Sequence, residues 1–339
     1  MNRQTLELLF QGLAAGDALG STVEFAPREE MPQRIEVLRR LGWPFKQAGG
    51  GPFYWQVGET TDDTAMAACV ARSFIRRRGF DGADLAQEFV KWLRSRPRDV
   101  GNTIRRTLEA IGEGTLWQEA ALIDYRLNPT SAANGSLMRN GIVPALADSL
   151  EEAFSISLQQ GIITHYAPLP VLCCCAQTFL IWELLESRDP FTGDWIQGFL
   201  GQFEDFLANS GDPIVSNWRQ NTADDFRESA NTFARSDFNA MRVDPYAMSI
   251  AGHDGYCLTT LQIAVWAAQW SQSGAPFPTP KDFPSDHFAR ATGANFLPAV
   301  VMIGHDADTY GAVAGPLIAA VHGHVPSEFK VGLKMPALQ

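Results

Sequence analysis

Two carboxylates stand two residues apart in Gly304-His305-Asp306-Ala307-Asp308-Thr309, and a hydroxyl follows the second. Such side chains offer only oxygen, which suits a hard cation such as Mg²⁺ or Mn²⁺. The i, i+2 spacing lets both acids face one side of an extended turn. A helix-like run rich in Ala and Gly, Tyr310 to Gly315, follows at once. The plainer reading is that Asp308 or Thr309 caps that helix. Gly58-Glu59-Thr60-Thr61-Asp62-Asp63-Thr64 repeats the theme before a second helix pattern, Met66, Val70 and Phe74. First-turn acids are favoured by the helix dipole alone, so one such set says little. Two acid-Thr sets, with Glu24 as a third source of oxygen, would supply both sides of a two-cation site with metals about 3.5–4 Å apart. His322 and His324 are the one His pair at metal spacing, and both fit a surface helix end. Zinc is disfavoured.

The elements that must hold these residues read as helices. Leu6, Leu9, Phe10 and Leu13 recur at helical spacing, with Gly12, Ala14, Ala15, Gly16, Ala18 and Gly20 among them. Small residues there let a helix approach its neighbours closely. Asp17 interrupts that face. Further helix patterns run over 84–93, from Asp99-Val100-Gly101 through Ile104, Leu108 and Ile111, and over 142–147, 150–163, 171–185 and 256–270. The stretches 26–58, 124–141 and 272–287 read as loops, rich in Gly, Pro, Asn or aromatics. Residues 187–250 are more polar and less regular, with amphipathic helices expected at 194–207 and 224–234. β-branched alternation is scarce, and no repeat or linker divides the chain. The expectation is one compact multi-helix domain over residues 1–339, with loops that carry the polar motifs.

Composition excludes several classes. With 27 basic against 38 acidic residues the formal charge is −11, a poor match for nucleic acid or anionic membrane. Arg76-Arg77-Arg78 is too short for a nucleic-acid footprint and reads as a solvated helix end. Of five Cys, three are consecutive (Cys173-Cys174-Cys175) in an apolar run, and no C-x-x-C occurs. Buried thiols in a reducing compartment are expected. Glu7 and Asp17 interrupt the N-terminal apolar stretch, so it does not read as a signal peptide. No run is expected to span a membrane. These readings place the protein in the cytoplasm, as a monomer.

The ordered set of motifs resembles the ADP-ribosylglycohydrolases, and most closely their dinitrogenase-reductase type. The resemblance runs from residue 9 to about 326. It rests on Gly12-Leu13-Ala14-Ala15-Gly16-Asp17-Ala18-Leu19-Gly20 with Glu24, Thr61-Asp62-Asp63-Thr64, Asp99-Val100-Gly101 and Asn134-Gly135-Ser136-Leu137-Met138-Arg139. Thr164-His165, Asp254-Gly255-Tyr256 and Gly304 to Thr309 complete it. It implies an all-α fold and a dinuclear Mg²⁺ or Mn²⁺ centre. The implied metal ligands are Glu24, Thr61, Asp62, Asp63, Asp306, Asp308 and Thr309. Asn134, Gly135, Ser136 and Met138 would lie in the loop that holds ADP-ribose. His165 would sit near the diphosphate or distal ribose, or serve as a hydrogen-bonded structural residue beside the loop. Asp99 would contact the ribose or scissile bond, or cap the helix after it. Arg139 would anchor the loop through carboxylates or carbonyls. His305 stands where many relatives have Gly. Ala132 and Ala133 replace an aromatic or Gly, which leaves Tyr125 as a candidate for stacking on adenine.

The implied activity is metal-dependent hydrolysis of the N-glycosidic bond between ADP-ribose and a protein side chain, arginine first, with ADP-ribose as product. A carboxylate among Asp62, Asp63 and Asp308 would activate the water, and Asp99 joins them as a catalytic candidate. Serine-linked or free ADP-ribose derivatives are the alternative substrates. A different class, an immunity or binding protein that blocks an ADP-ribosyltransferase through the unmatched segment 187–250, is the alternative function. An inactive structural relative is a third, against which the intact acid-Thr sets stand.

Overall fold

The computed structural model describes residues 1–239, 244–246, 252–283 and 288–338. Parts of the 187–250 segment and of the 272–287 loop lie outside these residues. The expected all-α architecture is what forms. The helices are α1 (Arg3–Gly20), α2 (Met31–Leu38), α3 (Asp62–Arg77), α4 (Gly82–Arg94), α5 (Asn102–Gly112), α6 (Trp117–Leu127), α7 (Leu150–Ile162) and α8 (Pro168–Leu185). Then follow α9 (Trp195–Asn209), α10 (Pro213–Asn221), α11 (Ala223–Arg235), α12 (Cys257–Ser273), α13 (Leu297–Val301), α14 (Ala307–His322) and α15 (Ser327–Lys330). Only isolated β-bridges occur among the described residues, with no sheet.

At the centre, α1 and α14 pack backbone to backbone. A Cβ on Gly12 would lie 2.6 Å from the Gly315 carbonyl oxygen, one on Gly16 2.0 Å from that of Gly311, and one on Gly20 2.2 Å from that of Ala307. The order of these pairs makes the helices antiparallel. No side chain fits at these crossings, so the small-residue stripe of the sequence is a packing requirement. The end of α1 is thereby delivered to the start of α14. Around this pair a contiguous apolar core runs from Leu6 to Phe329.

α8 is apolar around its whole circumference, as a helix buried on all sides must be. It comes closer to a membrane span than the sequence reading allowed, with 18 residues at mean hydropathy 1.6, yet 78% of that window is buried inside the fold. Its triple Cys lies in the core, and all five thiols are free and buried.

Several expectations are corrected. α2 forms within the supposed 26–58 loop, although only Met31 and Ile35 are buried on it. α6 runs through Leu127 into the supposed 124–141 loop, and the 142–147 helix is a 3₁₀ segment over Asn140–Ala145. α10 lies between the two helices expected in 187–250 and is anchored by Val215 and Trp218 alone. Short helices with two anchors carry little periodic signal and owe their stability to tertiary packing. α8 begins at Pro168 rather than 171, because Pro is well suited to the first helical turn.

Overpacking the crossing should be costly. Gly16→Val is expected to destabilise by about 3 kcal/mol or more. Gly198→Ala on the exposed side of α9, where a Cβ meets nothing within 4 Å, should be neutral or stabilise by about 0.5–1 kcal/mol. Urea denaturation of both variants checks this. Equal effects at the two positions would remove the backbone contact as the organising constraint.

Candidate active site

The chain leaves α1 and turns back on α14 at once. The Phe25 N–H donates to the His305 carbonyl at 2.6 Å, and the His305 N–H donates to that of Ala26 at 2.8 Å. This two-bond bridge sets Glu24 beside Asp306 and Asp308. Gly304 (φ +79°) and His305 (φ +53°) both take left-handed backbone to make the turn. On the other side, Asp17 reaches from α1 to the start of α3. It accepts the Thr61 N–H (3.0 and 3.1 Å), the Thr64 N–H (3.1 Å) and the Thr64 hydroxyl. Thr61 caps α3 and donates its hydroxyl to Asp63 at 3.2 Å.

These contacts build a cleft of about 460 Å³, within the range of small-molecule sites. Glu24, Asp62, Asp63, Asp99, Asp306, Asp308 and Thr309 line it, together with Asn134, Gly135, Met138 and His165. Oxygens of Glu24, Asp99 and Asp308 lie within 4.8 Å of one another. Asn134 Nδ2 donates to Asp306 at 2.6 Å and to Thr260 at 3.0 Å, tying the loop to the acid cluster.

Of the expected site residues, Thr61 and Ser136 do not line the cleft. Thr61 is buried with its hydroxyl on Asp63, so it still reaches the acid cluster. Ser136 turns its hydroxyl inward toward the Cys174 sulfur at 3.6 Å, because its side chain belongs to the core under the loop. Both capping alternatives lose. Gly101 occupies the cap position of α5, leaving Asp99 in the cleft, and Asp306 occupies that of α14 without a capping bond from its side chain. Arg139 anchors the loop through carbonyls, donating to Gly135 at 3.0 Å and to Gln160 at 2.9 Å, and makes no carboxylate bond among the described residues. Tyr125 does not line this cleft but lies on a small neighbouring cavity with His165. It stacks on Tyr166 at 6.1 Å between centroids, and its hydroxyl binds Asp225. His305 stands 3.9 Å from Asp254.

Sequence reasoning passed over two residues. Asp17 is fully buried, and its position within an otherwise apolar helix face was the available signal. Phe25 lines the cleft with 56% of its surface exposed and φ at +57°. Its sequence neighbourhood gives no hint of that exposure.

Crowded carboxylates in a buried site hold their protons. Burial, then the Asp99 and Asp306 charges, push Glu24 up to about 9. Burial raises Asp17 to about 6 against the opposing hydrogen bonds of Thr64 and Thr61, and Asp306 to about 6 against those of Asn134 and Thr309. Asp62 is raised by burial and by Asp99 and Asp63; Asp63 by burial, Asp17 and Asp306; Asp308 by burial, Glu24 and Asp63. Asp62 and Asp99 share a hydrogen bond, so one of them carries the proton. Glu24 Oε2, Asp63 Oδ1 and Asp308 Oδ1 are buried without a hydrogen-bond partner. Orphaned carboxyl oxygens of this kind fit hard divalent cations, whose binding would displace the protons.

The fold is all-helical, with an acid-lined cleft where α1 ends and α14 begins. The chain belongs to the ADP-ribosylglycohydrolase family, whose sequence profile it matches over residues 9–338, and it is a glycohydrolase. It is 29% identical over 327 residues to the ADP-ribosylarginine hydrolase Tri1 of Pseudomonas putida (strain GB-1), covering 92% of this chain and 69% of that one. It is 37% identical over 183 residues to the ADP-ribosyl-[dinitrogen reductase] glycohydrolase of Rhodospirillum rubrum, covering 53% of this chain and 57% of that one. A solved ADP-ribosylglycohydrolase-related protein complex superposes with a TM-score of 0.64 at 26% identity, covering 98% of this chain and 93% of its own.

The raised carboxyls give stability an unusual pH dependence. A carboxyl raised in the folded state contributes fully below its unfolded value, near 4, and the contribution is lost as pH rises through the folded value. For Asp17 and Asp306 that loss runs from about pH 4 to about pH 6, and for Glu24 from about pH 4 to about pH 9. In chelator the protein should melt lower at about pH 8 than at about pH 5. Mn²⁺ or Mg²⁺ should raise the melting temperature, and by more at the higher pH, where carboxylates lose fewer protons on binding. Thermal melts under the four conditions check this. A melting temperature that climbs with pH in chelator would show that these acids ionise freely.

Proposed function

We propose that the protein hydrolyses the N-glycosidic bond between ADP-ribose and an arginine side chain of a modified protein, releasing free ADP-ribose. Two divalent cations, Mg²⁺ or Mn²⁺, would be held by Glu24, Thr61, Asp62, Asp63, Asp306, Asp308 and Thr309. The observation that carries this reading is the set of orphaned buried oxygens on Glu24, Asp63 and Asp308, in a cleft that the Asn134–Gly135 loop also lines. The arginine linkage is supported by the names of relatives from Pseudomonas putida and Serratia proteamaculans (strain 568), both ADP-ribosylarginine hydrolases.

When bound, the cations supply Lewis acidity toward oxygen ligands and lower the pKa of a bound water. The chain's own residues do the rest. A carboxylate among Asp62, Asp63 and Asp308 takes the proton from the attacking water. Asp99, which lines the cleft with Asp62, would contact the ribose or the scissile bond. Positive charge developing on the anomeric carbon and ring oxygen is stabilised by the surrounding carboxylates. Asn134 fixes Asp306, while Gly135, Met138 and His165 shape the cleft wall against ADP-ribose. The acceptor is a modified protein, the enzyme acts as a monomer, and free buried thiols suit the reducing cytoplasm.

Incubation with arginine- and serine-linked ADP-ribosyl peptides tests the reading. Mass spectrometry should find free ADP-ribose from the arginine peptide alone, and chelator should suppress it. Asp62→Ala and Asp308→Ala should each lower turnover by about 10²–10³-fold while circular dichroism stays helical. Release from serine but not from arginine would sink the linkage, and turnover indifferent to chelator would sink the cations.

A further inference from the structure

We infer that Thr164 and Arg139 are positioning residues that fix His165 as its Nε2–H tautomer, so that the ring offers one neutral donor to a phosphate oxygen of ADP-ribose. The inference rests on ADP-ribose being the bound group.

The argument follows the hydrogens. Arg139 is fully buried, and a guanidinium only donates. Its Nη2 donates to Thr164 Oγ1 at 2.7 Å, so the threonine oxygen is an acceptor in that bond. The Thr164 hydroxyl still has its own proton to place, and this side chain is buried too. Its other hydrogen-bond partner among the described residues is His165 Nδ1, at 2.8 Å. Were Nδ1 protonated, the hydroxyl proton would be stranded, and a second N–H would point at an oxygen already held by a cation. A buried donor left without an acceptor loses its solvation with nothing in return. Nδ1 therefore accepts, and the ring proton sits on Nε2, as the bond to one imidazole nitrogen decides the state of the other.

The Nε2 edge lies along the cleft wall. A Cβ on Gly135 would stand 2.9 Å from His165 Cε1 and 3.2 Å from Nε2, so glycine there leaves this edge uncovered. No hydrogen bond engages Nε2 among the described residues. Burial and the Arg139 and Arg106 charges hold the ring's pKa down to about 3, which keeps it neutral. A neutral N–H does not draw the carboxylates away from cations. It also matches a phosphate oxygen, which at neutral pH accepts and does not donate. The opposite tautomer would turn a lone pair toward that oxygen and repel it.

Two measurements test the relay. In uniformly ¹⁵N-labelled protein free of ligand, long-range ¹H–¹⁵N correlation should show His165 Nε2 protonated and Nδ1 unprotonated. A protonated Nδ1 would overturn the inference. Thr164→Val removes the hydroxyl at nearly constant shape and should move both nitrogen shifts toward averaged values. It should weaken ADP-ribose binding, read by calorimetry, roughly tenfold. Thr164→Ser should restore both. Unchanged affinity in Thr164→Val would overturn the role in binding. If Thr164→Val does not fold, the wild-type shifts and the serine variant still decide. A wild type with the Nε2–H tautomer that binds no ADP-ribose would overturn the proposed function and leave the relay standing.

Discussion

The crossing of α1 and α14 is the constraint on which the site depends. Three successive turns of α1 meet three turns of α14 with no side chain between them, because Gly12, Gly16 and Gly20 face Gly315, Gly311 and Ala307. Backbones this close leave little freedom to slide, since any shift drives a Cα into a carbonyl. The register at the crossing is therefore also the register at its end. There the α1 exit and the α14 entry share two backbone bonds, and Glu24 is held against Asp306 and Asp308. Asp17, one residue past the Gly16 contact, clamps the start of α3 and brings Asp62 and Asp63 to the same place. One helix thus positions all three acid-bearing segments.

That arrangement carries an electrostatic cost, and the cost is the chemistry. Buried carboxylates crowd one cleft, and burial outweighs each hydrogen bond set against it at Asp17 and Asp306. The surrounding apolar core holds the acids together against this repulsion. Stability spent in this way is available as affinity for a counter-charge, because a group that binds the folded site stabilises it by mass action. The Asn134–Gly135 loop is built on the opposite plan. Arg139 satisfies loop carbonyls, Gln160 and Thr164 deep in the core, and among the described residues no carboxylate is bonded to it.

Much of the fold is legible in the chain because long helices write their burial into sequence. α3, α5, α7 and α12 appear where their apolar spacing puts them, and the acid-Thr sets stand at helix starts as read. α2 and α10 are not legible in the same way, since two buried anchors on a short helix do not make a period; the buried face of α6 is Ala120, Ala121, Asp124 and Tyr125, which carries little apolar signal. The direction of individual side chains is less legible still. Asp99 next to a helix start reads equally as a cap or a cleft acid, and Tyr125 reads only as a candidate for stacking on adenine, with nothing in its neighbourhood pointing to Tyr166. Nothing local separates these, because each outcome depends on which distant segment arrives.

The sequence alone determined the helical class, the residues able to offer hard oxygen, and the close-packing stripe, since each is a property of residue type and spacing. The tertiary structure decided that Asp17 is a clamp, that Ser136 turns inward while Asn134 turns to Asp306, and that Phe25 stands exposed at the cleft. It also decided which acids share a proton and which oxygens are left without partners. These are relations between segments up to some 290 residues apart in the chain, and they exist only once the backbone contact of α1 with α14 has fixed the distances.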